Sequence, residues 1–134
     1  MKLGRRTMRH ISLLILLACL SSCSGPLYVV LYNNSDFNAL VVLYDEQVKI
    51  LPGQERTFAI ARRIDLLLDN QPTSYPHLEV PGKYYALHRL TRYKIKLQLQ
   101  SNSELILLLP KEKFPVGSDF PQPDGFPLKP LAGS

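Results

Sequence analysis

The sequence predicts an all-β fold: a small antiparallel β-sandwich or barrel of about seven strands with a Pro-rich C-terminal tail. Three observations point there. Short runs rich in β-branched and aromatic residues recur between Leu27 and Leu109, and clusters of turn formers separate them. The clearest run, RYKIKLQLQ, alternates polar and apolar residues at the strand period of two. With 134 residues, the chain fits one domain with extensions at its ends, not two full domains.

LYVVLYN (27–33) and ALVVLYD (39–45) are the first two strands, and NNSD (33–36) between them reads as the turn of a hairpin. Gln47 to Leu51 runs into Pro52-Gly53, residue types that suit the two central positions of a type II turn, and Glu55 to Ile60 follows. This reads as a second hairpin. RRIDLLLD (62–69) places Ile64, Leu66 and Leu68 on one face. DNQPTSYP (69–76) reads as a loop, because its two prolines lie within five residues. In KYYALHRLTR (83–92), Ala86, Leu87 and Leu90 have helical spacing whereas Tyr84 and Tyr85 favour strand, so no assignment follows. RYKIKLQLQ (92–100) points Tyr93, Ile95, Leu97 and Leu99 one way and Arg92, Lys94, Lys96, Gln98 and Gln100 the other. After a turn at Ser101 and Asn102, Glu104 to Leu109 returns as an almost wholly apolar strand, which requires burial on both faces. The predicted sandwich domain spans 27–109.

Residues 110–134 form the tail, with six Pro and three Gly. Phe114, Phe120 and Phe126 are each followed by Pro at a spacing of six. In a polyproline II rod of about 3.1 Å rise per residue, positions six apart share a face and lie roughly 19 Å from each other. Such a rod would present three rings to a partner. Alternatively, the tail folds back so that its phenylalanines cover an apolar face or edge of the sandwich, or it stays disordered.

The N-terminus has a different character. Residues 1–10 are basic and hold no acid, and ISLLILLACL (11–20) is apolar except for Ser12. Small or turn-forming residues follow, Ser21 to Gly25. This is the order of a secretory signal. About 20 apolar residues are needed to cross roughly 30 Å of hydrocarbon, and this run is too short to span. Four of the sixteen Lys and Arg stand in the first ten residues, so the formal charge of +5 belongs mostly to the signal. Without that segment twelve basic residues face eleven acidic ones, which gives no footprint for nucleic acid.

Leu20-Ser21-Ser22-Cys23 resembles the lipobox of bacterial lipoproteins. That resemblance implies diacylglycerol attachment to the Cys23 sulfur, removal of residues 1–22, and acylation of the new amino group. Residues 23–26 are then a lipidated linker. Cys19 leaves with the signal, so the mature chain holds neither a free thiol nor a disulfide. A single acyl chain binds membranes only marginally, so several make the attachment stable. Ser24 stands where, in that family, an Asp tends to retain the protein at the inner membrane; its presence favours the outer membrane. The turn, alternating strand and KILPGQERTF pattern is also similar to small β-sandwich domains of bacterial envelope proteins, and no binding residues are carried over from it.

Candidate chemistry is sparse. Beyond the signal the histidines are His77 and His88, and neither sits in a metal-ligand or catalytic motif. No metal or cofactor is expected. Carboxylate pairs such as Asp45 with Glu46 or Asp65 with Asp69 have the residue types of an acid and a base, and either pair equally suits a solvated turn. The stripe Arg92, Lys94 and Lys96 could meet anionic lipid headgroups or cell-wall polymers. Equally, it could be a solvated strand face whose lysines discourage edge pairing. The expectation is a non-catalytic, lipid-anchored binding or assembly module on the periplasmic face of the outer membrane. Its partners would be the membrane, through Cys23, and an envelope protein. An accessory subunit of a secretion machine and an enzyme acting on an envelope substrate are the alternatives.

Overall fold

The computed structural model describes residues 25–90 and 92–133. Among these residues nine strands form two sheets: β1 (Leu27–Asn34), β2 (Ala39–Val42), β3 (Gln47–Ile50), β4 (Glu55–Ile60), β5 (Asp65–Leu68), β6 (Gln71–Ser74), β7 (Ala86–Arg89), β8 (Arg92–Gln100) and β9 (Leu105–Leu108). One sheet runs β4-β1-β8-β7, with β9 pairing the second half of β8; the other runs β3-β2-β5-β6. The architecture is an all-β sandwich, not a closed barrel. Its ladders are antiparallel except for the central β1–β8 pair, which is parallel.

Alternation sets the core. In the five-stranded sheet Val29 and Leu31 of β1 stand beside Ile95 and Leu97 of β8, and Phe58 of β4 stands beside Val29. In the facing sheet Ala39 and Val41 of β2 lie beside Leu68 and Leu66 of β5. All belong to one buried cluster, completed by Ile50, Ile64, Tyr75 and Leu78.

Both predicted hairpins are overturned, although their turns exist. β1 and β2 belong to different sheets, and so do β3 and β4. The NNSD segment is therefore a corner that carries the chain across the sandwich, held by the buried side chain of Asn33. Its Nδ2 donates to the carbonyls of Phe37 (2.7 Å) and Ile50 (2.9 Å). Its Oδ1 accepts from the backbone N–H of Ser35 (3.0 Å) and from the Ser35 hydroxyl. The Pro52-Gly53 crossing meets the same residue: Gly53 N–H donates to the Asn33 carbonyl at 2.8 Å, and Asn33 N–H to the Gln54 carbonyl at 2.9 Å. Gly53 has φ +80°, as position three of a type II turn demands, and Gln54 N–H closes that turn onto Leu51.

The predicted loop 69–76 is also corrected. β6 pairs with β5 across the two-residue turn Asp69-Asn70, both with positive φ, which is the conformation of a type I′ hairpin. Pro72 is tolerated because β6 is an edge strand, where a missing N–H breaks no ladder. In the unassigned stretch 83–92, a short 3-10 turn (Gly82–Tyr84) precedes β7, which forms a hairpin with the start of β8.

Tyr75, fully buried just after β6, donates its hydroxyl to the Ser103 carbonyl at 2.7 Å, tying the two sheets together. Burial pushes that hydroxyl well above the usual tyrosine range. The folded state therefore keeps a proton that the unfolded chain releases near about pH 10, so this contribution to stability is full below that pH and fades above it. Tyr75→Phe is expected to cost about 1 kcal/mol at neutral pH and to show a shallower fall in melting temperature above about pH 10. Parallel alkaline declines in the two chains would contradict this.

Candidate functional site

The tail wraps its own domain. On β8, Gln98 faces away from the core yet is fully buried. Its side-chain amide pairs with one tail residue in both directions: Nε2 donates to the Val116 carbonyl and Oε1 accepts the Val116 N–H, each at 2.8 Å. Gln122 mirrors this from the tail, accepting the Leu107 N–H (2.8 Å) and donating to its carbonyl (2.9 Å) on the free edge of β9. Leu105, the other outward-bonding residue of that edge, exchanges two backbone hydrogen bonds with Leu128 at 2.9 Å each. An edge that would invite strand addition is thus closed by the chain itself.

Phe114, Phe120 and Phe126 accordingly do not line one face of a projecting rod. The ring of Phe114 stacks on Tyr32 of β1 with centroids 5.1 Å apart, and Lys96 Nζ lies 5.6 Å above it. Phe126 packs against the core beside the buried Leu128, and Phe120 is half-buried in a turn where its N–H donates to the Gly117 carbonyl. Gly125, at φ +83°, makes the turn that brings Phe126 and Leu128 back to the sandwich. Under this cover lie Val30, Ile106 and Leu108, buried residues on the sheet face opposite the main core. They explain why Glu104 to Leu109 reads as apolar on both faces.

The stripe Arg92, Lys94 and Lys96 divides. β8 is a central strand, so its lysines do not protect an edge. Lys96 donates to the Glu112 carbonyl at 2.7 Å and serves the tail. Arg92 is at the other end, where a Cβ built on Gly25 would lie 3.8 Å from its Nη1. Lys94 pairs in register with Tyr28 of β1 and Ala86 of β7. At this end of the sandwich the chain begins β1, leaves β2 and β4, and turns from β7 into β8. Most of the exposed large apolar side chains among the described residues collect here: Val42, Tyr44, Leu87, Leu90 and Tyr93. An open cleft of about 780 Å³ lies on the same end, between Leu27, Tyr44 and Arg62.

The catalytic candidates are scattered. Asp65 begins β5 and Asp69 directly follows it, so four steps of extended chain separate their backbones by roughly 13 Å, beyond the spacing of either glycosidase arrangement. Asp65 is paired with Arg63 at 3.7 Å, and Asp69 accepts the Asn38 N–H at 2.8 Å. Asp45 and Glu46 are exposed in the β2–β3 turn. His88 stacks on Tyr28 with centroids 4.2 Å apart, and His77 is exposed after β6. Among the described residues, no three His, Cys, Asp or Glu side chains are grouped to hold a metal. Cys19, Cys23 and the rest of residues 1–24, where the sequence suggests a signal and a lipobox, lie outside the described residues. Comparison with models of known protein families, with characterised proteins and with solved structures gives no match.

Sequence reasoning missed Gln98 and Gln122 because a buried glutamine and a solvated one look alike in a strand pattern. The exposed Leu87 and Leu90 were hidden by the unassigned segment around them. One signal was available: no Asp or Glu occurs between Glu79 and Glu104.

Proposed function

We propose that this protein is a lipid-anchored lipoprotein of the outer membrane, facing the periplasm, that acts as a binding or assembly module without catalysis. The observation that carries the reading is Leu20-Ser21-Ser22-Cys23 placed directly after a basic segment and a ten-residue apolar run. Cys23 stands four residues before Leu27, where β1 begins. Four residues reach at most about 14 Å, so an anchor on Cys23 would hold the sandwich against the bilayer surface instead of on a long stalk. A compact sandwich whose tail closes its own sheet edge suits a rigid tethered module.

The reading is tested by fractionating the chain's own host cells. Wild-type protein is expected in the outer membrane, and Cys23→Ser is expected to be lost from it, because no thioether can form. An unchanged distribution of the substituted chain would contradict the anchor.

A further inference from the structure

The hairpin of β7 and β8 is built against the usual preferences of a soluble surface. Leu90 at its tip is 100% exposed, Leu87 is 66% exposed and Tyr93 is 52% exposed. Leu87 and Tyr93 are cross-strand partners, so the apolar groups form one patch. Beside them Arg89 stands directly opposite Arg92, a like-charge pair that weakens a ladder. Lys94 follows, and with no Asp or Glu between Glu79 and Glu104 this segment supplies no counter-charge of its own. Carboxylates at this end include Asp45 and Glu46 in the β2–β3 turn, Glu79 next to Leu78, whose N–H bonds the Arg62 carbonyl, and Asp65, which is paired with Arg63; none of them makes a salt bridge to Arg89, Arg92 or Lys94 among the described residues.

Position explains this cost. β8 runs parallel to β1, so the hairpin extends past the start of β1 on the side where Gly25 leads into that strand. The guanidinium of Arg92 stands beside Gly25. Two residues of chain, at most about 7 Å, separate Gly25 from Cys23. The end of the hairpin thus has Leu90 at its tip, Leu87 and Tyr93 on one face and Arg92 and Lys94 on the other, and an apolar tip with Tyr and basic side chains behind it is the composition that settles at the boundary of acyl chains and anionic headgroups.

We infer that the β7–β8 hairpin is a second membrane contact. Leu87, Leu90 and Tyr93 enter the interfacial layer of the bilayer while Arg89, Arg92 and Lys94 meet phosphate headgroups, so the sandwich is fixed in orientation and does not swivel on its lipid. This rests on the anchored reading above, and its occupant is the lipid surface that Cys23 would be attached to.

The chain contains no Trp, so a single introduced Trp reports its own surroundings. Lipidated Leu90→Trp and Asn102→Trp, the latter at the opposite end, are reconstituted in phosphatidylethanolamine vesicles with phosphatidylglycerol and brominated acyl chains. Intact mass establishes the state of Cys23 in each preparation. Leu90→Trp is expected to emit at shorter wavelength and to be quenched several-fold more strongly than Asn102→Trp. Adding Arg89→Gln and Arg92→Gln is expected to weaken that quenching while leaving the melting temperature unchanged or higher, since a repulsive pair is removed. A purely structural role for the arginines would instead lower the melting temperature. Equal quenching of the two Trp positions with Cys23 acylated would overturn the hairpin contact, leave the anchor intact and point to a protein on this patch. An unmodified Cys23 would remove the anchor and the hairpin contact together.

Discussion

Truncation after Leu109 is expected to lower the melting temperature by roughly 20 °C and to promote association through β9. The buried Leu128 and the half-buried rings of Phe114 and Phe126 leave together, and full burial of such a side chain is worth about 1.5–3 kcal/mol. Val30, Ile106 and Leu108 become exposed on the outer sheet face. A loss of about 4 kcal/mol follows, and each kcal/mol corresponds to about 4–8 °C in a domain of this size. The bonding groups of Leu105 and Leu107, now met by Leu128 and Gln122, would be open to a neighbouring chain. Thermal unfolding and light scattering of the truncated chain check both effects. An unchanged melting temperature would show that residues 110–134 contribute nothing to the fold and would return the tail to the role of a free ligand.

Asn33→Ala is the second large effect, expected to cost about 3 kcal/mol and roughly 15 °C in melting temperature. The side chain donates to two carbonyls from different corners and accepts two hydrogen bonds from Ser35, and it is completely buried. Removing it strands partners in a place where water does not readily enter, which costs more than the hydrogen bonds are worth in isolation. Asn33→Asp is expected to be at least as damaging, since a carboxylate cannot donate to Phe37 and Ile50 and would be a buried charge. A loss below about 1 kcal/mol for Asn33→Ala would mean that the two corners hold without this link.

The strands were legible wherever local pattern decides them. The alternation of RYKIKLQLQ matches the inward Ile95, Leu97 and Leu99, and the doubly apolar Leu105–Leu108 is buried throughout. Partner choice was not legible. NNSD and Pro52-Gly53 encode a reversal of direction, and a reversal within one sheet looks the same as a crossing between two. The parallel β1–β8 pair joins residues some sixty-six positions apart, which no turn signal marks. β6 was obscured by Pro72, whose meaning depends on whether the strand is at an edge. The doubly apolar β9 did carry the information that something must cover the outer face, and the Phe-Pro tail was the segment left to do it. Of the candidate site, the proposed lipid attachment at Cys23 rests on its motif alone, whereas the proposed membrane contact of Leu87, Leu90 and Tyr93 rests on where β8 places them relative to Gly25.

The most direct measurement is the intact mass of the protein extracted with detergent from its own host. The account predicts a chain that begins at Cys23 and is heavier than residues 23–134 by a diacylglyceryl group and one further fatty acyl group. A chain that still carries residues 1–22, or one with an unmodified sulfur at position 23, would contradict it.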